Sequence, residues 1–255
     1  MSKHGNVVAM VAYSWETSYE FLKETLSNSS SNLLVISVLI AILLAFYFLS
    51  SHAKWKPTKG DLVLLLGQCG SGKTAIFLQL RNGHIRETVS SLIENKDGIK
   101  LLETESKPVE VVDYPGHLRL QYGIYNLIPK SRCIIYLVDA TDKSSIKPTA
   151  EHLYDLFTSS QLRAQPLPFL LACNKSDLHS ARPPSLIKED LEREIEKVRI
   201  SRSALLEGQE RSDIYLQADG LPFAFHSAPC PLEICQCSAK SGDVSSIISF
   251  IRKCF

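Results

Sequence analysis

The chain has 255 residues, with 28 basic and 27 acidic side chains and a formal net charge of +1. That balance excludes the basic footprint of a nucleic-acid binder and the charge block of an acidic tail, so no direct nucleic-acid binding is expected. The length suits one domain of about 200 residues plus an appendage, and the seven cysteines, odd in number and without C-x-x-C spacing, read as reduced thiols and not as a disulfide framework or zinc site.

The appendage comes first. Residues 33–49, LLVISVLIAILLAFYFL, hold only Ser37 and Tyr47 as polar positions. As a helix the run spans roughly 26 Å at 1.5 Å per residue, close to the hydrocarbon thickness of a thin bilayer. It lacks the amphipathic period of a core helix. It also begins too far from the N-terminus, and without a small-residue cleavage site after it, to be a signal peptide. Residues 33–50 are therefore expected to form one transmembrane helix, with 1–32 as a short tail before it and 51–59 as a basic linker after it. Lys54, Lys56 and Lys59 follow the span, with Trp55 at interface depth. The positive side faces the cytosol, which makes the tail luminal and everything after the linker cytosolic. Asn28-Ser29-Ser30 is then a luminal glycosylation sequon too close to the membrane to be used readily.

From residue 60 to 255 short apolar runs alternate with helical patterns. The runs are DLVLLL (61–66), PVEVVDYPG (108–116), CIIYLVDA (133–140), FLLACNKSD (169–177) and LEICQCSAK (232–240). Continuous apolar runs ended by turn residues suit strands buried on both faces of a parallel sheet. Helices are expected at Lys73–Asn82, Ser144–Ser160 and Leu186–Leu206; in the last, Ile187, Leu191, Ile195 and Val198 fall on one face. The order predicts a doubly wound α/β domain, whose ligands sit at the carboxyl ends of the strands. Residues 207–231 lack periodicity and read as a loop insert, with LPFAFH (221–226) as an extra strand leading into the last one.

Four motifs fall at those strand ends. GQCGSGKT, comprising Gly67, Gln68, Cys69, Gly70, Ser71, Gly72, Lys73 and Thr74, matches G-x-x-x-x-G-K-[ST] between a strand and a helix. Its backbone N–H groups can converge on phosphate oxygens, Lys73 can reach the β- and γ-phosphates, and the Thr74 hydroxyl can ligate Mg²⁺. In DYPG, Asp113 can hold a magnesium-bound water, and Gly116 can bring its N–H to a γ-phosphate. In NKSD, Asn174 opens the turn, Lys175 can lay its stem over a base, and Asp177 can accept from N1–H and the exocyclic amine of guanine. Adenine would leave that carboxylate unpaired. In CSAK, Ser238, Ala239 and Lys240 close the set, with the Ala239 N–H aimed at the guanine O6. Each motif alone has a plain structural reading as a turn; the four in order predict a guanine-nucleotide site for GTP or GDP with Mg²⁺.

In these motifs the chain resembles the Ras-like small GTPases. The membrane span, the short tail before it, DYPGH and ACNKSD together resemble the signal recognition particle receptor β-subunit family. PGH departs from the Gly-Gly of the Arf and Sar families. The resemblance implies a single-pass endoplasmic reticulum membrane protein that pairs with the receptor α subunit as a heterodimer. It would grip that subunit's N-terminal domain in the GTP form and serve delivery of ribosome–nascent-chain complexes to the translocon. A cycling Arf/Sar-type enzyme that recruits coats, and a scaffold indifferent to nucleotide, stay open as alternatives. Two positions bear on hydrolysis. His117 stands where many Ras-like enzymes place a water-orienting glutamine, and Cys69 stands where many have glycine. Both imply slow or partner-stimulated turnover. For the metal-binding hydroxyl of the first switch, RETVSSLIEN offers Thr88, Ser90 and Ser91, with Thr88 preferred.

Overall fold

Strand β1 (Leu62–Gly67) sits inside a six-stranded sheet of order β2-β3-β1-β4-β5-β6. The structure, a computed structural model, describes residues 60–85, 93–100, 108–205 and 221–255. The expected tail, span and linker, the sequon at Asn28, Thr88 with its two neighbouring serines, and the insert up to residue 220 lie outside the described residues. Among the described residues no helix is long and apolar enough to cross a membrane.

The other strands are β2 (Asn95–Ile99), β3 (Val109–Asp113), β4 (Ser131–Asp139), β5 (Phe169–Asn174) and β6 (Leu232–Gln236). All pairings are parallel except β2 with β3. Every residue of β1 and β5 is buried, which is why these strands read as unbroken apolar runs. Successive side chains still part to opposite faces. Leu64, Ile134, Tyr136, Phe169 and Leu171 join one core; Val63, Leu65, Ile135, Leu170 and Ala172 join the other. Each fully buried aliphatic side chain contributes roughly 1.5–3 kcal/mol, so the central strands supply much of what holds the domain together.

Helices α1 (Lys73–Asn82), α2 (Ile146–Thr158), α3 (Ser160–Ala164), α4 (Pro184–Leu205) and α5 (Ser245–Cys254) cover the sheet. Their anchors recur at helical spacing: Ile76, Phe77 and Leu80 in α1, Ile187, Leu191 and Ile195 in α4, Ile247, Phe250 and Ile251 in α5. The first and third helices of the sequence reading lie within two residues of α1 and α4. The second begins instead as a 3₁₀ turn, Lys143–Ser145, capped by the Asp142 carboxylate on the Ser144 N–H at 2.8 Å.

Two features depart from the expectation. Edge strand β2, NKDGI, alternates half-exposed and exposed residues until Ile99. It carries no apolar run and forms because β3 presents an unpaired edge. Conversely, LPFAFH is not a strand. The Phe223 N–H donates to Glu196 Oε2 at 3.0 Å and the Phe225 N–H to Glu192 Oε1 at 2.8 Å. Carboxylates one turn apart on α4 thus take the donors a sheet would have used. The two rings pack on Phe157 at 6.3 and 6.4 Å between centroids, and a 3₁₀ turn follows at Phe225–Ser227.

Candidate functional site

At the carboxyl ends of β1, β3, β5 and β6 a cavity of about 400 Å³ opens, walled by the four motifs. The loop after β1 makes one end. Gly72 precedes α1 with φ of 90°, in the left-handed region, and a Cβ there would stand 2.2 Å from the Asn174 amide nitrogen. Only glycine meets both demands. No side chain caps α1, and its N-terminus, the positive end of the helix, lies in the cavity wall. Lys73 is 6 % exposed, and its ammonium donates to the Gln68 carbonyl at 2.8 Å. Burial pulls its pKa down, against the opposing pull of Asp113 and Cys69. An anion beside it would relieve that burial.

Asp113, at the end of β3, is almost wholly buried. Its Oδ2 accepts from the Thr74 hydroxyl at 2.7 Å and from Asn95 Nδ2 at 3.0 Å. Thr74 and Asp113 are hard oxygen donors of the type magnesium prefers. Among the described residues no three His, Cys, Asp or Glu side chains cluster as a metal cage. The pair therefore fits a cation that takes its remaining ligands from phosphate and water. Gly116 lies directly against the loop: a Cβ on it would stand 2.6 Å from Lys73 Nζ and 2.7 Å from both Cys69 N and Gly67 O. His117 is exposed and is absent from the cavity wall.

The opposite end is bound together by side chains. Asn174, 2 % exposed, donates to the Ser71 carbonyl at 2.8 Å and accepts from the Ala239 N–H at 3.1 Å. One residue thereby ties the loop after β1 to the loop after β6. Lys175 takes a left-handed φ of 67°, and its ammonium is held by Asp139 at the end of β4. Burial favours the protonated form of Asp139, but Lys175 and Thr141 outweigh it and hold the carboxyl below its usual range. The Ser176 hydroxyl donates to the Cys237 carbonyl at 2.8 Å. Ser238 donates to Asp177 Oδ1 at 2.6 Å while accepting from the Ser241 N–H at 3.1 Å.

Of the residues expected from sequence, Cys69, Gly70, Gly72, Lys73, Thr74, Asp113, Gly116, Asn174, Lys175, Asp177, Ala239 and Lys240 line the cavity. Gln68 and Ser71 line a smaller cavity of about 150 Å³ on the other side of the loop. Ser238 is not in the cavity wall and reaches it only by its bond to Asp177. Sequence reasoning missed Asn95 and Asp139. Asn95 lies on the strand that has no apolar signal; Asp139 ends β4, and an aspartate at the end of a central strand was the available clue.

A family model described as signal recognition particle receptor beta subunit matches residues 58–229. The signal recognition particle receptor subunit beta of Rattus norvegicus is 32 % identical over 228 residues, covering 87 % of this chain and 84 % of that protein. The solved structure of the mammalian signal recognition particle receptor aligns with a TM-score of 0.67 at 29 % identity, over 76 % of this chain and 100 % of that one. The GDP form of the β subunit from Chaetomium thermophilum aligns at 0.59 and 25 % identity, over 79 % and 100 %. The Ras-like α/β fold with its mostly parallel sheet is common to these structures and this chain. A match across more than half of the chain, joined to that identity and that fold, leads to one conclusion: the chain belongs to the signal recognition particle receptor β-subunit family.

Proposed function

We propose that the chain is a guanine-nucleotide-binding receptor subunit, anchored in the endoplasmic reticulum membrane, that holds the receptor α subunit there while GTP is bound. The observation that carries this reading is the pairing of two chemistries across one cavity. Asp177, held by Ser238, and the Ala239 N–H stand at the end suited to guanine; Lys73, Thr74, Asp113 and Gly116 stand at the end suited to phosphate. A relative whose name includes GDP and a family defined as one subunit of a receptor support the ligand class and the partner.

In this reading Asp177 selects the base, and the Ala239 N–H, which donates to Asn174 Oδ1 in this structure, would have to turn from Asn174 to reach the base carbonyl. Lys175 lays its stem along the base because Asp139 holds its far end. Lys73 neutralises the phosphates, and the N–H groups from Gly70 to Thr74 bind their oxygens. Thr74 directly, Asp113 through water and Thr88 from the first switch would hold Mg²⁺, which would supply charge neutralisation to the phosphates. The Gly116 N–H meets the γ-phosphate. With His117 outside the cavity wall, the chain serves as a GTP-held binding module more than as a rapid-turnover enzyme. The run at 33–50 anchors it with the N-terminus luminal and the nucleotide domain cytosolic, and delivery of ribosome-bound chains to the translocon follows from the partner.

Full-length protein extracted in mild detergent tests this directly. It should carry GDP or GTP in near-equimolar amount, lose it on magnesium chelation, resist alkaline extraction from membranes, and capture the α subunit's N-terminal domain with a GTP analogue far better than with GDP. Protein that binds no guanine nucleotide, or captures the α subunit equally in both states, defeats the reading.

A further inference from the structure

Beneath the phosphate-binding loop the central sheet carries a buried polar cluster that the contacts above do not use. Tyr136, in the middle of β4, is fully buried, and His152 on α2 is 5 % exposed. The Tyr136 hydroxyl and His152 Nδ1 lie 2.9 Å apart. Burial pushes the Tyr136 phenol well up, and the side chains of Gln68 and Thr149 pull it part of the way back. Gln68 Nε2 also donates to the Pro148 carbonyl of α2 at 3.0 Å. That contact orients the amide, because a carbonyl can only accept. The main-chain carbonyl of the same Gln68 accepts the Lys73 ammonium.

The setting makes this cluster costly. Tyr136 stacks near Phe169 at 6.2 Å, and Phe169 meets Phe157 edge-on at 5.5 Å. Apolar side chains would fill that volume without desolvating a hydroxyl, an amide and an imidazole. Burial also lowers the His152 pKa to about 4, so the ring is neutral at physiological pH, and its Nε2 is buried without a partner. Packing alone does not call for such groups. What they have in common is helix α2: His152 ties it to β4, and its Pro148 carbonyl takes the Gln68 amide from the loop.

We propose that Tyr136 and His152 are positioning residues for the phosphate-binding loop: by fixing α2 on the sheet they hold the Pro148 carbonyl that takes Gln68, and with it the turn whose carbonyl fixes Lys73, and so set how long a guanine nucleotide stays bound. This rests on the nucleotide reading above. The test is release of a fluorescent GDP analogue from full-length, magnesium-loaded protein in detergent. Tyr136→Phe, His152→Ala and Gln68→Leu should each speed release by roughly three- to tenfold, the loss expected for one neutral hydrogen bond. Tyr136→Phe combined with Gln68→Leu should release no faster than the faster single variant, because both break the same link. Phe157→Leu is the structural control: it trims the same core and should lower Tm at least as far as Tyr136→Phe with release unchanged. Unchanged release in the single variants, multiplied effects in the double variant, or accelerated release in Phe157→Leu overturns the proposal. Wild-type protein that retains no guanine nucleotide overturns the nucleotide reading itself.

Discussion

The two ends of the cavity are built differently. At the base end nearly every polar group is already tied to another part of the protein: Asn174 to Ser71 and Ala239, Lys175 to Asp139, Ser176 to Cys237, Asp177 to Ser238. At the phosphate end the fixed parts are the loop, the Thr74–Asp113–Asn95 contacts and the close seat of Gly116. Beyond Gly116 comes the exposed His117 and then a run of 3₁₀ turns, Leu118–Asn126, where Tyr122 is 81 % exposed. Ile124 anchors that run in the core and the Tyr114 hydroxyl donates to the Leu120 carbonyl at 2.6 Å, so a ligand could reorder at modest cost only the exposed positions around those anchors. Under the proposed function the base end would be largely preorganised, with only the Ala239 N–H having to leave Asn174, whereas the phosphate end has neighbours whose arrangement a γ-phosphate could set.

The largest effect should come from changing chemistry at the preorganised end while keeping its shape. Asp177→Asn replaces an acceptor by a donor toward the amine position of the base, which suits xanthine. The GTP-to-XTP preference should fall by about 10³-fold, the scale on which a buried mispaired polar group is penalised. Competition binding reads it, and unchanged discrimination removes Asp177 from base recognition. Next comes Asn174→Ala, which leaves the Ser71 carbonyl and the Ala239 N–H buried without their partner. Affinity for GDP and GTP should drop together, by at least about a hundredfold, with a clear fall in Tm. A loss confined to GTP would contradict the separation of the two ends.

Gly116→Ala attacks the other end. The added methyl meets two backbone atoms of the loop at 2.7 Å, where no flexible side chain can yield. GTP-analogue affinity should fall about tenfold, equivalent to about 1.4 kcal/mol, with GDP binding little changed. Capture of the α subunit's N-terminal domain should weaken in parallel. Equal losses for GDP and GTP in a titration would show that Gly116 serves the loop as a whole. The smallest effect is expected from Ser238→Ala, which frees Asp177 and the Ser241 N–H from one hydroxyl. A loss of about threefold in guanine-nucleotide affinity is the scale of one neutral hydrogen bond. An effect near that of Asp177→Asn would mean that Ser238 touches the base itself.

Much of this was legible in the residues, for identifiable reasons. A strand buried on both faces must be apolar throughout, so β1, β4 and β5 declared themselves. A strand-to-helix turn with a left-handed Gly72 pressed on Asn174 needs glycine there, so GQCGSGKT stood out too. Strand β2 was illegible because an edge strand that faces water needs no apolar run. LPFAFH misled because alternating aromatics suit a strand as well as they suit a segment pinned by Glu192 and Glu196, residues 33 and 27 positions from the donors they take. Asn95, Asp139 and the Gln68–Tyr136–His152 cluster stayed hidden because each contact joins residues from separate elements.

The sequence by itself determined the fold class, the four loops, the ligand they suit and the family, because these depend on local spacing and on which side chains water excludes. The tertiary structure alone decided which of those residues support one another: that Asn174 joins two loops, that Gly116 lies against the loop after β1, that Asp139 holds Lys175, and that a buried tyrosine meets His152 of α2. Such contacts depend on distances between elements far apart in the chain, and those distances are set by sheet register and helix packing, which no local pattern encodes.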